Sequence, residues 1–228
     1  MRMRRKKNLE DRLQNCSEYL ICADGEDLNY QTASQIKEYI DFRKLFGNDN
    51  PIELEIGCGK GGFICELAKQ NPDKNFIAVE KTGNVIVNGC EKAQSEEISN
   101  LRFFKCGAEY LEKYIPEHSV DNIYLNFSCP FPKKKYASHR LTNRNFLKIY
   151  KKLLKNGGFI FQKTDNMHFF EYSIEEFSQS GFALRNVTFD LHNSGFEGNI
   201  MTEYEKRFSE LGQPIYRLEA YLLQQGDE

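Results

Sequence analysis

The sequence of 228 residues lacks tryptophan, any Cys-x-x-Cys pair and any apolar run as long as a membrane helix. A membrane helix needs about 20 consecutive apolar residues, so we expect no spanning segment. The seven cysteines are scattered and odd in number, which is typical of reduced thiols rather than of disulfides or a zinc site. No apolar segment follows the charged N-terminus, as it would in a signal peptide. We therefore expect a cytoplasmic protein without membrane contact and without a bound metal.

Apolar residues make up 40% of the chain and include 18 Phe and 12 Tyr, which is enough for one packed α/β domain. We predict that residues 29–228 form this single domain and that residues 1–28 are a basic, partly flexible N-terminal extension. The sequence does not decide between a monomer and a homodimer.

The segment 51–63 contains the clearest local pattern. Ile52, Leu54 and Ile56 alternate with acids, and four glycines follow within six residues before apolar residues recur at helical spacing. This pattern predicts a strand, a tight turn and a helix. Glycine lets a ligand approach the main chain closely, and the start of a helix presents free N–H groups. Gly57 and Gly59 are therefore candidate ligand-binding residues.

Two classes of ligand use such a turn. The pattern Gly57-x-Gly59-x-x-Gly62 fits the dinucleotide fingerprint, in which a pyrophosphate lies at the start of the helix. S-adenosylmethionine instead places its methionine part there. Glu55 favours this second ligand, because a carboxylate at the end of the strand attracts a cation and repels a pyrophosphate. A tight turn without any ligand is the structural alternative.

Glu80 ends the next predicted strand, at 75–80, and lies 23 residues after Gly57. An acid in this position can accept hydrogen bonds from ribose hydroxyls. Both ligands carry a ribose, so Glu80 supports nucleoside binding but does not distinguish the two ligands. The strand at 101–105 is followed by a turn that begins with Cys106 and Gly107, where we expect the adenine ring. A solvated carboxylate is the alternative interpretation of Glu80.

The remaining pattern predicts an α/β fold with a mostly parallel, seven-stranded sheet. We predict helices on both faces and an antiparallel C-terminal edge made by the last two strands. Further strands are predicted at 120–127, 157–164, 181–191 and 214–223, and helices at 30–46, 60–70, 85–93, 143–154, 169–179 and 202–211.

Residues 122–164 contain no Asp or Glu but ten Lys and Arg. They are Lys133, Lys134, Lys135, Arg140, Arg144, Lys148, Lys151, Lys152, Lys155 and Lys163. The net charge of the chain is only −2, so the uneven distribution, rather than the total, predicts a polyanionic partner. A solvated charged face is the alternative.

Six short motifs in this order resemble the bacterial tRNA (guanine-N7-)-methyltransferase family over nearly the whole chain. They are Glu55-Ile56-Gly57-x-Gly59-x-Gly61, Tyr124-Leu125-Asn126-Phe127 with Pro130-x-Pro132-Lys133, Lys163-Thr164-Asp165-Asn166, Phe170-Glu171-Tyr172-Ser173, Asp190-Leu191-His192 and Met201-Thr202-Glu203-Tyr204-Glu205. The resemblance implies a Rossmann-like class I methyltransferase fold and S-adenosyl-L-methionine as methyl donor, with S-adenosyl-L-homocysteine as product. It implies tRNA as partner and N7 of a guanosine in the variable loop as acceptor.

The resemblance also implies roles for residues that match the motifs by position. Implied cofactor contacts are Glu55, Gly57, Gly59, Glu80, Cys106, Gly107 and Cys129. Implied substrate contacts are Lys133, Asp165, Thr202, Glu203, Tyr204 and Glu205, and the candidate catalytic residues are Cys129 and Asp165. The cations expected along the RNA backbone are Lys134, Lys135, Arg140 and Arg144.

Cys106 and Cys129 depart from the family pattern, which commonly has Asp at both positions. A thiol is mostly neutral at pH 7, and losing a carboxylate about 4 Å from a cation forfeits about 1–4 kcal/mol. Guanine N7, however, carries a lone pair and no proton, so its methylation needs no general base. We therefore interpret Cys129 as a tolerated small polar residue, with a lost active site as the alternative.

Local structural roles compete with substrate roles at several positions. Thr202 and Glu205 match a capping box, and Asp165 could cap the following helix. His192 is more typical of a structural loop residue than of a base. Phe131 or Tyr136 could stack on a splayed base.

Three other functions stay open from the sequence. The chain could methylate another RNA base, or it could bind RNA with a degenerate cofactor site, as Cys106 and Cys129 would suggest. A nicotinamide oxidoreductase is disfavoured by Glu55 and by the acid-free basic span. Binding of S-adenosylhomocysteine but not of NADH would exclude the last of these.

Overall fold

The computed structural model describes residues 6–22 and 37–223, with Glu203 described by its backbone alone. The chain divides into two compact units, Met1–Tyr114 and Ile115–Glu228. The predicted boundary between residues 28 and 29 lies outside the described residues, so that division stays a prediction. No helix within the described ranges is long and apolar enough to cross a lipid bilayer.

The first unit is a parallel sheet with short connections. Its elements are α1 (Leu9–Asn15), β1 (Leu20–Cys22), α2 (Phe42–Phe46), β2 (Ile52–Ile56), α3 (Gly62–Gln70), β3 (Asn75–Val79), α4 (Gly83–Ser95), β4 (Leu101–Lys105) and α5 (Leu111–Tyr114). The strand order is β1-β4-β3-β2, and every pair is parallel. All five residues of β2 and of β3 are buried, as expected for parallel strands covered on both faces. The predicted positions of β2 and β4 are confirmed.

The N-terminal segment contains a helix and a strand that the sequence pattern did not predict. β1 is only three residues long and pairs in parallel with β4, opposite Phe103–Lys105. On α1, Arg12 donates to both carboxylate oxygens of Glu91 on α4, at 2.6 and 2.7 Å. The described residues therefore contain eight strands rather than seven. The extra strand was missed because three residues are too few to show a period of two.

The helix predicted at 30–46 is wrong over residues 37–41, and residues 30–36 lie outside the described residues. The backbone N–H groups of Glu38 and Ile40 donate to the carbonyls of residues 113 and 114, both at 2.8 Å. These long-range hydrogen bonds hold the segment extended. The helix begins only after Asp41, whose side chain accepts the N–H of Lys44 at 3.0 Å.

The second unit carries the antiparallel strands. Its elements are β5 (Val120–Asn126), α6 (Arg144–Leu153), β6 (Leu154–Thr164), α7 (Met167–Gln179), β7 (Phe182–Thr188), α8 (Glu203–Glu210) and β8 (Tyr216–Leu222). The strand order is β5-β6-β8-β7, with β5 and β6 parallel and the other pairs antiparallel. The antiparallel C-terminal edge is thus confirmed, and the last strand lies between β6 and β7.

Candidate functional site

The glycine turn between β2 and α3 has the predicted strand–turn–helix form. Gly57, Gly59 and Gly61 have φ values of 80°, 58° and 76°, a region that favours glycine. The N–H groups of Gly57 and Cys58 both donate to the carbonyl of Val79, at 2.8 and 3.1 Å. The turn is therefore held against the end of β3.

Two of these glycines serve different purposes. A Cβ added at Gly61 would lie 2.8 Å from the ring of Phe103, so this glycine lets α3 pack closely on β4. A Cβ added at Gly59 would meet no heavy atom of the described residues within 4 Å. The open side of the turn is therefore at Gly59, where a ligand could approach the main chain.

The ends of β2, β3 and β4 meet at one edge of the sheet. The N–H of Glu80 donates to the carbonyl of Phe104 at 3.1 Å, which places the end of β3 beside the end of β4. The Glu80 side chain is half-buried, and its Oε1 accepts the N–H of Thr82 at 2.8 Å. Glu55 is buried at the end of β2. The structure thus brings the two predicted cofactor carboxylates to the same edge.

Cys106 lies at this edge as well, directly after β4. It is 2% exposed, and its Sγ donates to the carbonyl of Gly107 at 3.2 Å. At this position, where the family pattern commonly has Asp, the side chain is therefore buried and contacts its own turn.

The thiol of Cys58 in the glycine turn is neutral. Burial raises its pKa well above the ordinary value, and the nearby charges of Glu55 and Glu80 raise it further. Burial likewise raises the pKa of Cys65 on α3 to about 12. The negative charge around the turn therefore comes from the two carboxylates rather than from a thiolate.

A cavity of about 680 Å³ lies beside the ends of β3 and β4. It is lined by Leu9, Glu10, Leu13, Lys81, Thr82, Gly83, Asn84, Lys105, Gly107, Glu109 and Tyr110. Its size is typical of a small-molecule site. Gly107 is the predicted cofactor residue that lines it, and α1, which the sequence did not predict, supplies one wall.

In the second unit, β5 ends in a turn that leads to the proline-containing loop. Phe127 has a φ of 49°, and its N–H donates to the carbonyl of Lys163 at 2.8 Å. Cys129 is exposed in the loop that follows. The side chains of Lys133, Lys134 and Lys135 are exposed and form a continuous basic run.

The two predicted RNA-binding arginines have structural contacts of their own. Arg140 donates to the carbonyl of Phe131 at 3.0 Å and lies 4.2 Å above the ring of Tyr172. Arg144 donates to both carboxylate oxygens of Glu176, at 2.7 and 3.2 Å. Burial alone would raise the pKa of Glu176, but the hydrogen bonds from Arg144 outweigh burial and hold that pKa below its ordinary value. The sequence could not show that these two arginines also make contacts that hold the fold together.

Asp165 lies half-buried immediately after β6. It does not cap the next helix. Asn166 does, by accepting the N–H of Phe169 at 2.9 Å, while Thr164 Oγ1 accepts the N–H of Asn166 at 3.2 Å. These two hydrogen bonds fix the turn that carries Asp165.

The predicted capping box at the start of α8 is confirmed. The hydroxyl of Thr202 accepts the N–H of Glu205 at 2.9 Å, and the Glu205 carboxylate accepts the N–H of Thr202 at 3.4 Å. Glu205 is fully buried, and its implied substrate contact stays a prediction. Tyr204 is 62% exposed, and its ring stacks on Phe127 with 6.5 Å between centroids. The side chain of Glu203 lies outside the described part of the structure, so its substrate contact stays a prediction.

Sequence reasoning placed Lys163 among the basic residues of the acid-free span, but the structure buries it. Its Nζ lies 2.6 Å from Oε2 of Glu205. His192, expected to be structural, has its Nε2 3.5 Å from Oε1 of the same carboxylate. One feature of the sequence could have indicated that Lys163 is buried: it is the single charged residue in the strand segment 159–164.

Comparison with known proteins places the chain in a family. A family model described as a putative methyltransferase matches residues 49–218. A tRNA (guanine-N(7)-)-methyltransferase of Bacillus subtilis (strain 168) is 45% identical over 219 residues, which cover 96% of this chain and 98% of the relative. The enzyme of the same name from Geobacillus sp. (strain WCH70) is 51% identical over 178 residues, which cover 78% of this chain and 81% of the relative. The chain belongs to the tRNA (guanine-N(7)-)-methyltransferase family. The resemblance found in the motifs is confirmed.

Solved structures agree with this family in their fold. The 16S rRNA methyltransferase KamB matches with a TM-score of 0.60 at 14% identity, covering 82% of this chain and 96% of that one. A SAM-dependent methyltransferase from Aquifex aeolicus matches with a TM-score of 0.56 at 12% identity, covering 86% of this chain and all of that one. The Rossmann-like methyltransferase fold predicted from the motifs is confirmed.

Proposed function

We propose that this protein transfers a methyl group from S-adenosylmethionine to N7 of a guanosine in the variable loop of tRNA, in the cytoplasm. The observation that carries the proposal is the 45% identity to a tRNA (guanine-N(7)-)-methyltransferase over 96% of this chain. The motifs that carry the resemblance extend through both units, so the proposal rests on the whole chain rather than on the glycine turn alone.

The residues at the edge of the first unit fit this methyl donor. A turn open at Gly59 next to two carboxylates suits a cationic amino acid with an attached ribose better than it suits a pyrophosphate. Glu55 would hold the methionine part and Glu80 the ribose hydroxyls. The turn at Cys106 and Gly107 would lie against the adenine.

Methylation at N7 requires no general base among the catalytic residues. S-adenosylmethionine, when bound, supplies a sulfonium methyl group that guanine N7 can accept directly, because N7 has a lone pair and no proton to lose. The chain's residues therefore have to position the base and tolerate the positive charge that its ring gains. Asp165, on a turn fixed by Thr164 and Asn166, is our candidate for the second task. Cys129 needs no role as a base.

The second unit supplies surfaces suited to RNA. The exposed Lys133, Lys134 and Lys135 would contact phosphates, whereas Arg140 and Arg144 would do so while holding the fold. The exposed ring of Tyr204, supported by Phe127, offers a surface on which an unstacked base can lie.

Methyl transfer to an unmodified tRNA transcript tests the proposal. Labelled S-adenosylmethionine is incubated with the protein and the transcript, and the labelled nucleoside is identified after digestion. We expect 7-methylguanosine, and none when the variable-loop guanosine is replaced by adenosine. Label in another nucleoside would show a different acceptor base. Binding of S-adenosylhomocysteine without any transfer would favour an RNA-binding protein, and binding of NADH would favour an oxidoreductase.

A further inference from the structure

We propose that Lys163 is a positioning residue for the target guanosine. Its buried ion pair with Glu205 would hold the recognition segment, defined as residues 199–205, against the carboxyl ends of β5 and β6. Lys163 then acts on the substrate through this segment and does not touch the base. The inference rests on the proposed tRNA methylation and adds a residue to which no substrate role was given.

The lysine side chain is committed to the recognition segment. Its Nζ donates to Asn199 Oδ1 at 3.1 Å, to the carbonyl of Ile200 at 2.8 Å and to Glu205 Oε2 at 2.6 Å. An ammonium group has three N–H donors. Lys163 is also only 6% exposed, so it is poorly placed to contact a phosphate.

The glutamate is equally engaged within the protein. One oxygen, Oε1, accepts from Nδ2 of Asn199 at 2.5 Å and lies 3.5 Å from Nε2 of His192. The other oxygen accepts from Lys163 and from the N–H of Thr202. With no exposed surface and hydrogen bonds to both oxygens, Glu205 orders the segment from inside.

Lys163 also connects this segment to β5. Its backbone carbonyl accepts the N–H of Phe127 at 2.8 Å, while its side chain holds the segment that carries Tyr204. The two aromatic rings are stacked, with an interplanar angle of 17°. A single residue thus links the backbone of Phe127 to the segment that carries Tyr204. If the ion pair is lost, we expect Tyr204 to lose its fixed position over Phe127.

The first test is Lys163→Met, which replaces the lysine with an uncharged side chain of similar length. We expect kcat/KM for tRNA to fall by about 100-fold, the scale of a misplaced substrate, chiefly through a higher KM. Affinity for S-adenosylhomocysteine should be unchanged. Hydrogen exchange followed by mass spectrometry should show faster exchange at residues 199–205, and Lys163→Arg, which keeps the charge and donors, should recover part of the activity.

The matched control is Lys74→Met in the first unit. Lys74 also pairs with a buried glutamate, Glu53, at 2.8 Å, but it lies at the amino end of β3. This variant should keep wild-type kcat/KM for tRNA.

A double variant, Lys163→Met with Glu205→Met, separates positioning from direct contact. If Lys163 acts through its ion pair with Glu205, that interaction is already absent in each single variant. The double variant should then lose no more tRNA activity than Glu205→Met alone. The proposal is overturned if Lys163→Met keeps wild-type kcat/KM, or if the loss in the double variant equals the two single losses multiplied together. An inactive wild-type protein would instead overturn the proposed function, and this inference with it.

Discussion

At the scale of single residues, the two cysteines at family Asp positions have different surroundings. Cys106 is buried and donates to its own turn, whereas Cys129 is exposed in a loop. The carboxylates at the proposed cofactor edge include Glu55 and Glu80. An exposed thiol at the second is consistent with a reaction that needs no base.

The exposed thiol provides the first prediction. Cys129→Ser keeps a small polar group at this position, so we expect kcat for tRNA methylation to stay within about threefold of the wild type. The measurement is steady-state methyl transfer at saturating donor. A loss of activity by orders of magnitude, with S-adenosylhomocysteine still bound, would show that the sulfur itself takes part.

At the scale of elements, the glycine turn separates a packing position, Gly61, from the proposed ligand position, Gly59. Ala at Gly59 or at Gly61 must adopt positive φ, at a cost of about 1–2 kcal/mol. Gly61→Ala must in addition displace the ring of Phe103, which lies 2.8 Å from the added Cβ. We expect Gly61→Ala to lower the melting temperature more than Gly59→Ala does.

Among folded variants, we expect Gly59→Ala to lower the affinity for the cofactor more than Gly61→Ala does. The Cβ of Gly59→Ala fills the open side of the turn, so titration calorimetry with S-adenosylhomocysteine should show weaker binding than in the wild type. Equal melting temperatures for the two variants would contradict the packing role of Gly61. Unchanged affinity in Gly59→Ala would contradict the ligand role of Gly59.

The strand pair β7–β8 contains a carboxylate that makes stability depend on pH. Glu219 accepts from Arg185 at 2.7 Å and from Arg217 at 2.5 Å. Burial alone would raise the pKa of Glu219, but the hydrogen bonds from both arginines hold it below its ordinary value. The stabilisation is therefore present above the unfolded-state pKa of about 4.3 and is lost as the pH falls through the folded-state value.

The matching prediction compares urea unfolding of the wild type and Glu219→Gln between about pH 6 and pH 3. The wild type should lose more free energy of unfolding than the variant as the pH falls, because only the wild type carries this carboxylate. Glu210→Gln, at an exposed position on α8, is the control and should follow the wild type. Parallel curves for wild type and Glu219→Gln would rule out the linkage.

The elements that sequence reasoning located well are those whose pattern is local. Apolar residues alternate in β2 and are clustered in β4, and turn residues follow both strands. The capping box at Thr202 can be found from four consecutive residues. What was missed depends on contacts distant in sequence. The extended segment at 37–41 is held by carbonyls at 113–114, and Lys163 looks like a surface cation until its partner 42 residues away is known.

At the scale of the whole molecule, the uneven charge distribution should appear in the salt dependence of tRNA binding. If the basic residues engage about six phosphates, log affinity should fall against log salt concentration with a slope of about −4 to −5. Replacing Lys133 and Lys134 with Ala should make the slope shallower by about 0.7–0.9 for each phosphate that the variant no longer neutralises, while affinity for S-adenosylhomocysteine stays the same. A wild-type slope near zero would contradict the electrostatic account.

The central claim is that guanine N7 attacks the methyl group directly, and an atomic substitution in the RNA tests it. Methyl transfer from labelled S-adenosylmethionine is measured on two tRNA transcripts, one with guanosine and one with 7-deazaguanosine, in which carbon replaces N7 and the rest of the base is retained. The account predicts transfer to the first transcript and none to the second, with both transcripts bound. Equal transfer to the 7-deazaguanosine transcript would contradict it.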